Sequence, residues 1–143
     1  MAQVNAYFTF NGNCEAAFDF YKSVFGGEYK TITKFGDMPP TPGHEIPDSA
    51  KEKIMHVALP ISKETILMGS DANPNFGEVS IGQNISMSVN AESKEEADKV
   101  FTNLADGGQI TMPIADTFWG AYFGMFIDKF GITWMVNYDY PRQ

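Results

Sequence analysis

Two glycine pairs, Gly26-Gly27 and Gly107-Gly108, stand about eighty residues apart in this 143-residue chain, and each closes a helical stripe of apolar residues. The first stripe is Cys14, Ala17, Phe18, Tyr21 and Phe25; the second is Ala97, Val100, Phe101 and Leu104. A repeat at this spacing limits the fold severely, because whatever the first half builds the second must be able to build again. Asn13 is the expected N-cap of the first helix, and Ser93-Lys94-Glu95-Glu96 is a capping box for the second.

The segments around the two helices alternate apolar and polar residues with the period of a half-buried strand. Strands are expected at 4–10, 28–35, 54–60 and 64–70 in the first half, and at 84–89, 109–115, 121–127 and 133–138 in the second. Asp128-Lys129-Phe130-Gly131 has the composition of a hairpin turn. The run Gly36-Asp37-Met38-Pro39-Pro40-Thr41-Pro42-Gly43 cannot continue a ladder, since proline lacks the donor, and a loop is expected to about Lys53. The chain thus reads as strand, helix, strand, strand, strand, performed twice. This is an α+β fold of two βαβββ modules within one domain, 1–143: module one 1–72, a connection 73–83, and module two 84–143. The expected form is a curled, half-barrel mixed sheet with helices outside and a cleft inside.

Charge narrows the partners. Eighteen acidic against ten basic residues give a net charge of −8, with no Lys/Arg cluster, which disfavours nucleic-acid phosphates and anionic lipid. Without a membrane-length apolar run or a basic-then-apolar leader, a cytoplasmic protein is expected. Cys14 is the only cysteine, so no internal disulfide can form.

Particular residues resemble a known family. The paired βαβββ layout, with Phe18-Asp19-Phe20-Tyr21-Lys22-Ser23-Val24-Phe25-Gly26-Gly27 closing the first helix and Asp128-Lys129-Phe130-Gly131 opening the last strand, is similar to the glyoxalase, bleomycin-resistance and extradiol-dioxygenase superfamily, also called vicinal oxygen chelate. Phe10-Asn11-Gly12-Asn13-Cys14-Glu15-Ala16-Ala17, Ile54-Met55-His56, Met68-Gly69-Ser70-Asp71 and Trp134-Met135-Val136-Asn137 resemble its PhnB-like branch, sometimes labelled as resembling a 3-demethylubiquinone methyltransferase. The resemblance implies a fold and a homodimer. It leaves the reaction open, since the superfamily includes lyases, epimerases, dioxygenases, thiol transferases and drug-binding proteins. The methyltransferase label is set aside because no strand leads through a glycine loop into a nucleotide-binding helix.

Metal-using members carry ligands on the first and last strands of each module. Those positions fall here at Asn5 or Ala6, near Leu67 or Met68, at Asn84 and at Met135, none of which is an ordinary ligand for a divalent cation. No metal or other cofactor is therefore expected. His44, in the Pro-rich loop, reads as solvated; His56, within a strand, is either hydrogen-bonded to a neighbour or available for chemistry. With Asp71 it is the one pair from which a general base can be built, provided the two come within hydrogen-bonding reach. Cys14 lies on the apolar stripe and reads as a small buried hydrophobe.

The inward register implied by the resemblance makes Asn5, Tyr7, Thr9, Asn84, Ser86, Ser88, Thr133, Met135 and Asn137 the walls of a polar, uncharged cup, with Phe76, Trp119, Tyr122 and Phe123 as candidate flat surfaces. The expected function is binding of a small organic molecule in that cleft without a catalytic metal. The alternatives are a metal-dependent lyase or dioxygenase using His56 and a carboxylate, and a non-catalytic resistance protein.

Overall fold

The computed structural model describes residues 2–43 and 45–142. It divides into two compact units, Met1–Ser80 and Ile81–Gln143, so most of the expected connection belongs to the first. His44 lies outside the described residues.

In the first unit the order is β1 (Ala6–Phe10), α1 (Cys14–Phe25), β2 (Thr31–Lys34), β3 (Ile54–Pro60) and β4 (Ile66–Asp71). The helix carries the chain from one sheet edge to the other, and β2, β3 and β4 walk back until β4 lies beside β1, giving the order β1-β4-β3-β2. Only the β1–β4 pair is parallel. The second unit repeats this with β5 (Met87–Asn90), α2 (Lys94–Ala105), β6 (Gln109–Asp116), β7 (Ala121–Ile127) and β8 (Thr133–Asp139), in the order β5-β8-β7-β6. Two open, four-stranded mixed sheets, each with one helix, thus bear out the duplicated α+β architecture.

Several strands are shorter than their alternation suggests. Pairing of β1 begins at Ala6↔Leu67 and of β5 at Met87↔Trp134, so Asn5, Asn84 and Ser86 precede the ladders. Alternation continues past the point where a neighbour is available, and only the neighbour makes a strand. The long loop holds two short 3-10 turns, Phe35–Asp37 and Asp48–Ala50, and its ends are tied where Phe35 N–H donates to Lys53 O and Gly36 N–H to Lys51 O. Among the described residues no helix is long and apolar enough to cross a membrane.

Each helix buries its stripe on one face of its own sheet. From α1 these are Cys14, Ala17, Phe18 and Tyr21, against Phe8, Phe10, Val57, Leu59 and Leu67, all buried. Phe18 is the hub, with ring centroids 6.3 Å from Phe8, 6.3 Å from Phe10 and 5.7 Å from Tyr21. Opposite it sits Gly69 of β4, where a β-carbon would stand 2.7 Å from the Phe18 ring and 2.7 Å from Phe8 O. In the second unit Phe101 of α2 packs perpendicular to Phe126 at 5.1 Å and lies over Gly124 of β7, whose added β-carbon would stand 2.6 Å from the ring. Both helices approach a strand this closely only because it carries no side chain there.

Strand β6 ends the second sheet, is mostly exposed, carries Pro113, and shows register shifts between Ile110 and Met112 and between Met112 and Ala115. Cys14 is fully buried, and that burial, followed by the negative charges of Asp71 and Glu15, pushes its thiol well above the ordinary range. In the native protein Cys14 is expected to resist iodoacetamide at pH 8 and to react only on unfolding, as mass spectrometry with and without denaturant will show.

Candidate functional site

The face of the first sheet turned away from α1 is uncovered by any helix of its own unit, and strand alternation decides which side chains stand on it. In β1 Phe8 and Phe10 are buried under α1, so Tyr7 and Thr9 face the other way, both exposed. Thr9 pairs with Ser70, and Thr33 pairs with His56. The register Val57↔Gly69 sets His56 beside Ser70. Thr33, His56, Ser70 and Thr9 therefore form a row across all four strands, three hydroxyls and one imidazole. In the neighbouring row stand Met68 and Tyr7, and the Tyr7 hydroxyl lies 3.4 Å from His56 Nδ1 with the two rings stacked at 5.8 Å.

At the Thr9 and Ser70 end of this row is a pocket of about 320 Å³. Met55 and Phe35 supply apolar wall, and the segment 73–79, with Phe76 and Glu78, forms the rim. That segment is held by an amide clamp: Asn11 Nδ2 donates to Val79 O and Val79 N–H donates to Asn11 Oδ1, both at 2.9 Å. Asn11→Ala removes both bonds at a partly solvated position and is expected to destabilise the protein by about 1–2 kcal/mol. Amide exchange should rise around Val79 while α1 stays protected.

Asp71, the expected partner of His56, is occupied elsewhere. Its buried carboxylate accepts from Gly12 N–H and Cys14 N–H through Oδ1, both at 2.9 Å, and from Ile54 N–H through Oδ2 at 2.8 Å. It caps α1 from the end of β4, a task Asn13 does not perform, since its side chain makes no capping bond. His56 faces Tyr7 instead, and no hydrogen bond joins it to Asp71 among the described residues, so the proposed general-base pair does not assemble. Of the capping box expected at α2 the serine half forms, Glu96 N–H donating to Ser93 Oγ at 3.0 Å, while the Glu96 carboxylate accepts from Glu92 N–H at 2.9 Å, one residue before the cap.

The open face of the second sheet carries Met135 and Asn137, because Trp134 and Val136, which alternate with them, are buried toward α2. Ser88 pairs with Met135, Phe123 with Asn137, and Met112, Met125 and Met135 form a continuous row. Trp119 lies in the turn before β7, 54% exposed and edge-on to Phe123 at 5.9 Å. Tyr122 departs from expectation. Its hydroxyl donates to Asp98 of α2 and Lys94 of α2 sits over its ring at 4.8 Å, so it faces the helix and not the open face. The hydrogen bond to Asp98 is the main reason its phenol is pushed up to about 12. Asp128, 3% exposed, holds its hairpin by accepting from Phe130 N–H, Ile132 N–H and Trp134 Nε1–H.

Phe35, Met55 and Glu78 were not among the site residues expected from sequence, although Met55 stands in the Ile54-Met55-His56 feature of the resemblance. The signal for them was slight: Asn11 is a turn residue whose partner lies 68 positions away.

Comparison with known proteins places this architecture. A family model described as 3-demethylubiquinone-9 3-methyltransferase matches residues 2–137. The chain belongs to that family. It is 34% identical to Protein YjdN of Escherichia coli strain K12 over 143 aligned residues, 94% of this chain and 93% of that one. Protein PA1353 from Pseudomonas aeruginosa, solved by crystallography, is 42% identical with a TM-score of 0.86, covering 97% and 98% of the two chains. A structure described as putative 3-demethylubiquinone-9 3-methyltransferase, PhnB protein, from Bacillus cereus shares 25% identity and a TM-score of 0.76 over 96% and 99%. At 16% identity, a glyoxalase/bleomycin resistance protein/dioxygenase family enzyme from Burkholderia phytofirmans shares the fold, TM-score 0.60 over 96% and 100%.

In this PhnB-like chain the positions that correspond to superfamily metal ligands do not fit a divalent ion. Asn5 is exposed ahead of β1, Leu67 is buried under α1, Met68 and Met135 offer thioethers, and Asn84 precedes β5. Among the described residues no three of His, Cys, Asp and Glu are grouped closely enough to hold a metal. The donors a hard or borderline cation needs are missing from that set.

Proposed function

We propose that this PhnB-like protein binds a small, uncharged organic molecule in the pocket on the open face of its first sheet. The observation that carries the reading is the composition of the pocket: Thr9 and Ser70 offer hydroxyls beside an apolar wall of Phe35 and Met55, with Phe76 at the rim. About 320 Å³ suits a molecule with one ring and a few substituents. Few polar groups orient such a ligand, and the apolar wall supplies most of the affinity. The family's methyltransferase description is not carried over, since neither helix opens on a glycine-rich turn built to cradle a nucleotide: α1 follows Asn11-Gly12-Asn13 and α2 follows Ala91-Glu92-Ser93.

The test is a fragment screen by protein-observed NMR on the full chain, repeated with Ser70→Trp, which fills the pocket. Support requires hits that shift the signals of Thr9, Ser70 and Phe76 and vanish in the variant. Hits that persist in Ser70→Trp, or a library that binds nowhere, would refute the reading.

A further inference from the structure

The row of hydroxyls is interrupted by His56, and the duplication shows that the fold does not require an imidazole there. Strands β3 and β7 are each seven residues long and hold equivalent places in their sheets. The third residue of β3 is His56, and the third of β7 is Phe123. In the second sheet the position is filled by a hydrocarbon packed on Trp119. In the first it is a half-buried imidazole whose one hydrogen-bond partner among the described residues is the Tyr7 hydroxyl, at the long distance of 3.4 Å. Burying part of an imidazole with one loose bond stabilises the protein less than a phenylalanine would, so the residue is suited to something other than packing.

The geometry points to a specific role, which rests on the pocket reading above: His56, oriented by Tyr7, receives the carbonyl oxygen of a neutral molecule whose apolar part occupies the pocket. The Tyr7 hydroxyl donates to Nδ1, which places the ring proton on Nε2, and Nε2–H then donates to the ligand. Ser70, the cross-strand neighbour of His56, and Thr9 beyond it provide hydroxyls that can either donate or accept. None of these groups is an ammonium, a guanidinium or a free carboxylate; of the two acidic residues lining the pocket, Asp71 has its carboxylate engaged by three backbone amides, and Glu78 is exposed and disfavours an anion. The row therefore selects an amide, ester or ketone over a carboxylate or an amine.

Three probes of one size test the selection: benzamide, benzoate and benzylammonium, each titrated into the isotope-labelled full chain. Benzamide is expected to shift the signals of Thr9, Ser70 and His56, and the two ions to bind at least about tenfold more weakly. His56→Phe, which installs the residue of the second sheet, should keep or raise the melting temperature and weaken benzamide about tenfold. Imidazole nitrogen spectra, which need no ligand, should show the Nε2–H tautomer in the parent and a mixture of tautomers in Tyr7→Phe. Benzoate binding as tightly as benzamide, benzamide binding unchanged in His56→Phe, or an Nδ1–H tautomer in the parent would overturn the proposal. Silence from benzamide while other fragments occupy the pocket and leave Ser70→Trp would overturn this inference alone; silence from every fragment would remove the pocket reading with it.

Discussion

Asp71→Ala is expected to destabilise the protein by about 3–5 kcal/mol, enough to leave much of a marginally stable domain unfolded. The side chain is 4% exposed and its two oxygens accept from three backbone amides, those of Gly12, Cys14 and Ile54. Truncation leaves those donors without a partner where water enters poorly, and each such loss costs about 1–3 kcal/mol. The effect reaches three elements at once, because Asp71 ends β4, Cys14 begins α1 and Ile54 begins β3. Asp71→Asn retains one acceptor oxygen and should recover part of the loss. Urea unfolding of the three proteins measures this; a cost for Asp71→Ala below about 1 kcal/mol would mean that these amides find other acceptors.

Phe18→Ala should cost about 3–5 kcal/mol, the range for emptying a buried aromatic site. Phe18 is fully buried and touches Phe8, Phe10 and Tyr21 as well as the bare backbone at Gly69. Gly69→Ala pushes a methyl group against that ring and should itself cost about 1–3 kcal/mol. The two changes are expected to be less harmful together than their sum, since removing the ring makes room for the methyl group. Relief will be partial, because Phe8 O stands 2.7 Å from the same position and is backbone. Strict additivity in the double-mutant cycle would show that Phe18 and Gly69 do not constrain one another.

The duplication was legible in the sequence because it rests on local, periodic signals. The stripes at Cys14, Ala17, Phe18 and Tyr21 and at Ala97, Val100, Phe101 and Leu104 are the faces that the helices bury. Alternation grouped Tyr7 with Thr9 and Met135 with Asn137, and each pair stands on the sheet face away from its helix; the inward direction came from the resemblance. The same rule was misapplied at Tyr122 and Phe123, both taken as flat surfaces for a ligand. Adjacent residues of a strand must point oppositely, and Asp98 holds Tyr122 on the helix side. Long-range hydrogen bonds carried no signal. Nothing in Asp71 announces that it will cap a helix 57 residues earlier, and its position at a strand end near His56 suggested catalysis instead. The pocket rim was read as a mere connection because the Asn11 clamp joins two polar segments that each look like ordinary turns.

Strand β6, with its proline and two register shifts, has a bearing on how the molecule behaves in a crowded solution. It ends its sheet and exposes Ile110 and Met112, the kind of rim on which a stray chain could lay a further strand. Pro113 has no amide hydrogen to give such an intruder, and the two irregularities bend the template out of step. The outermost backbone of the second sheet is thereby a poor seed for fibrils, and its oily side chains can remain in water without recruiting copies of themselves.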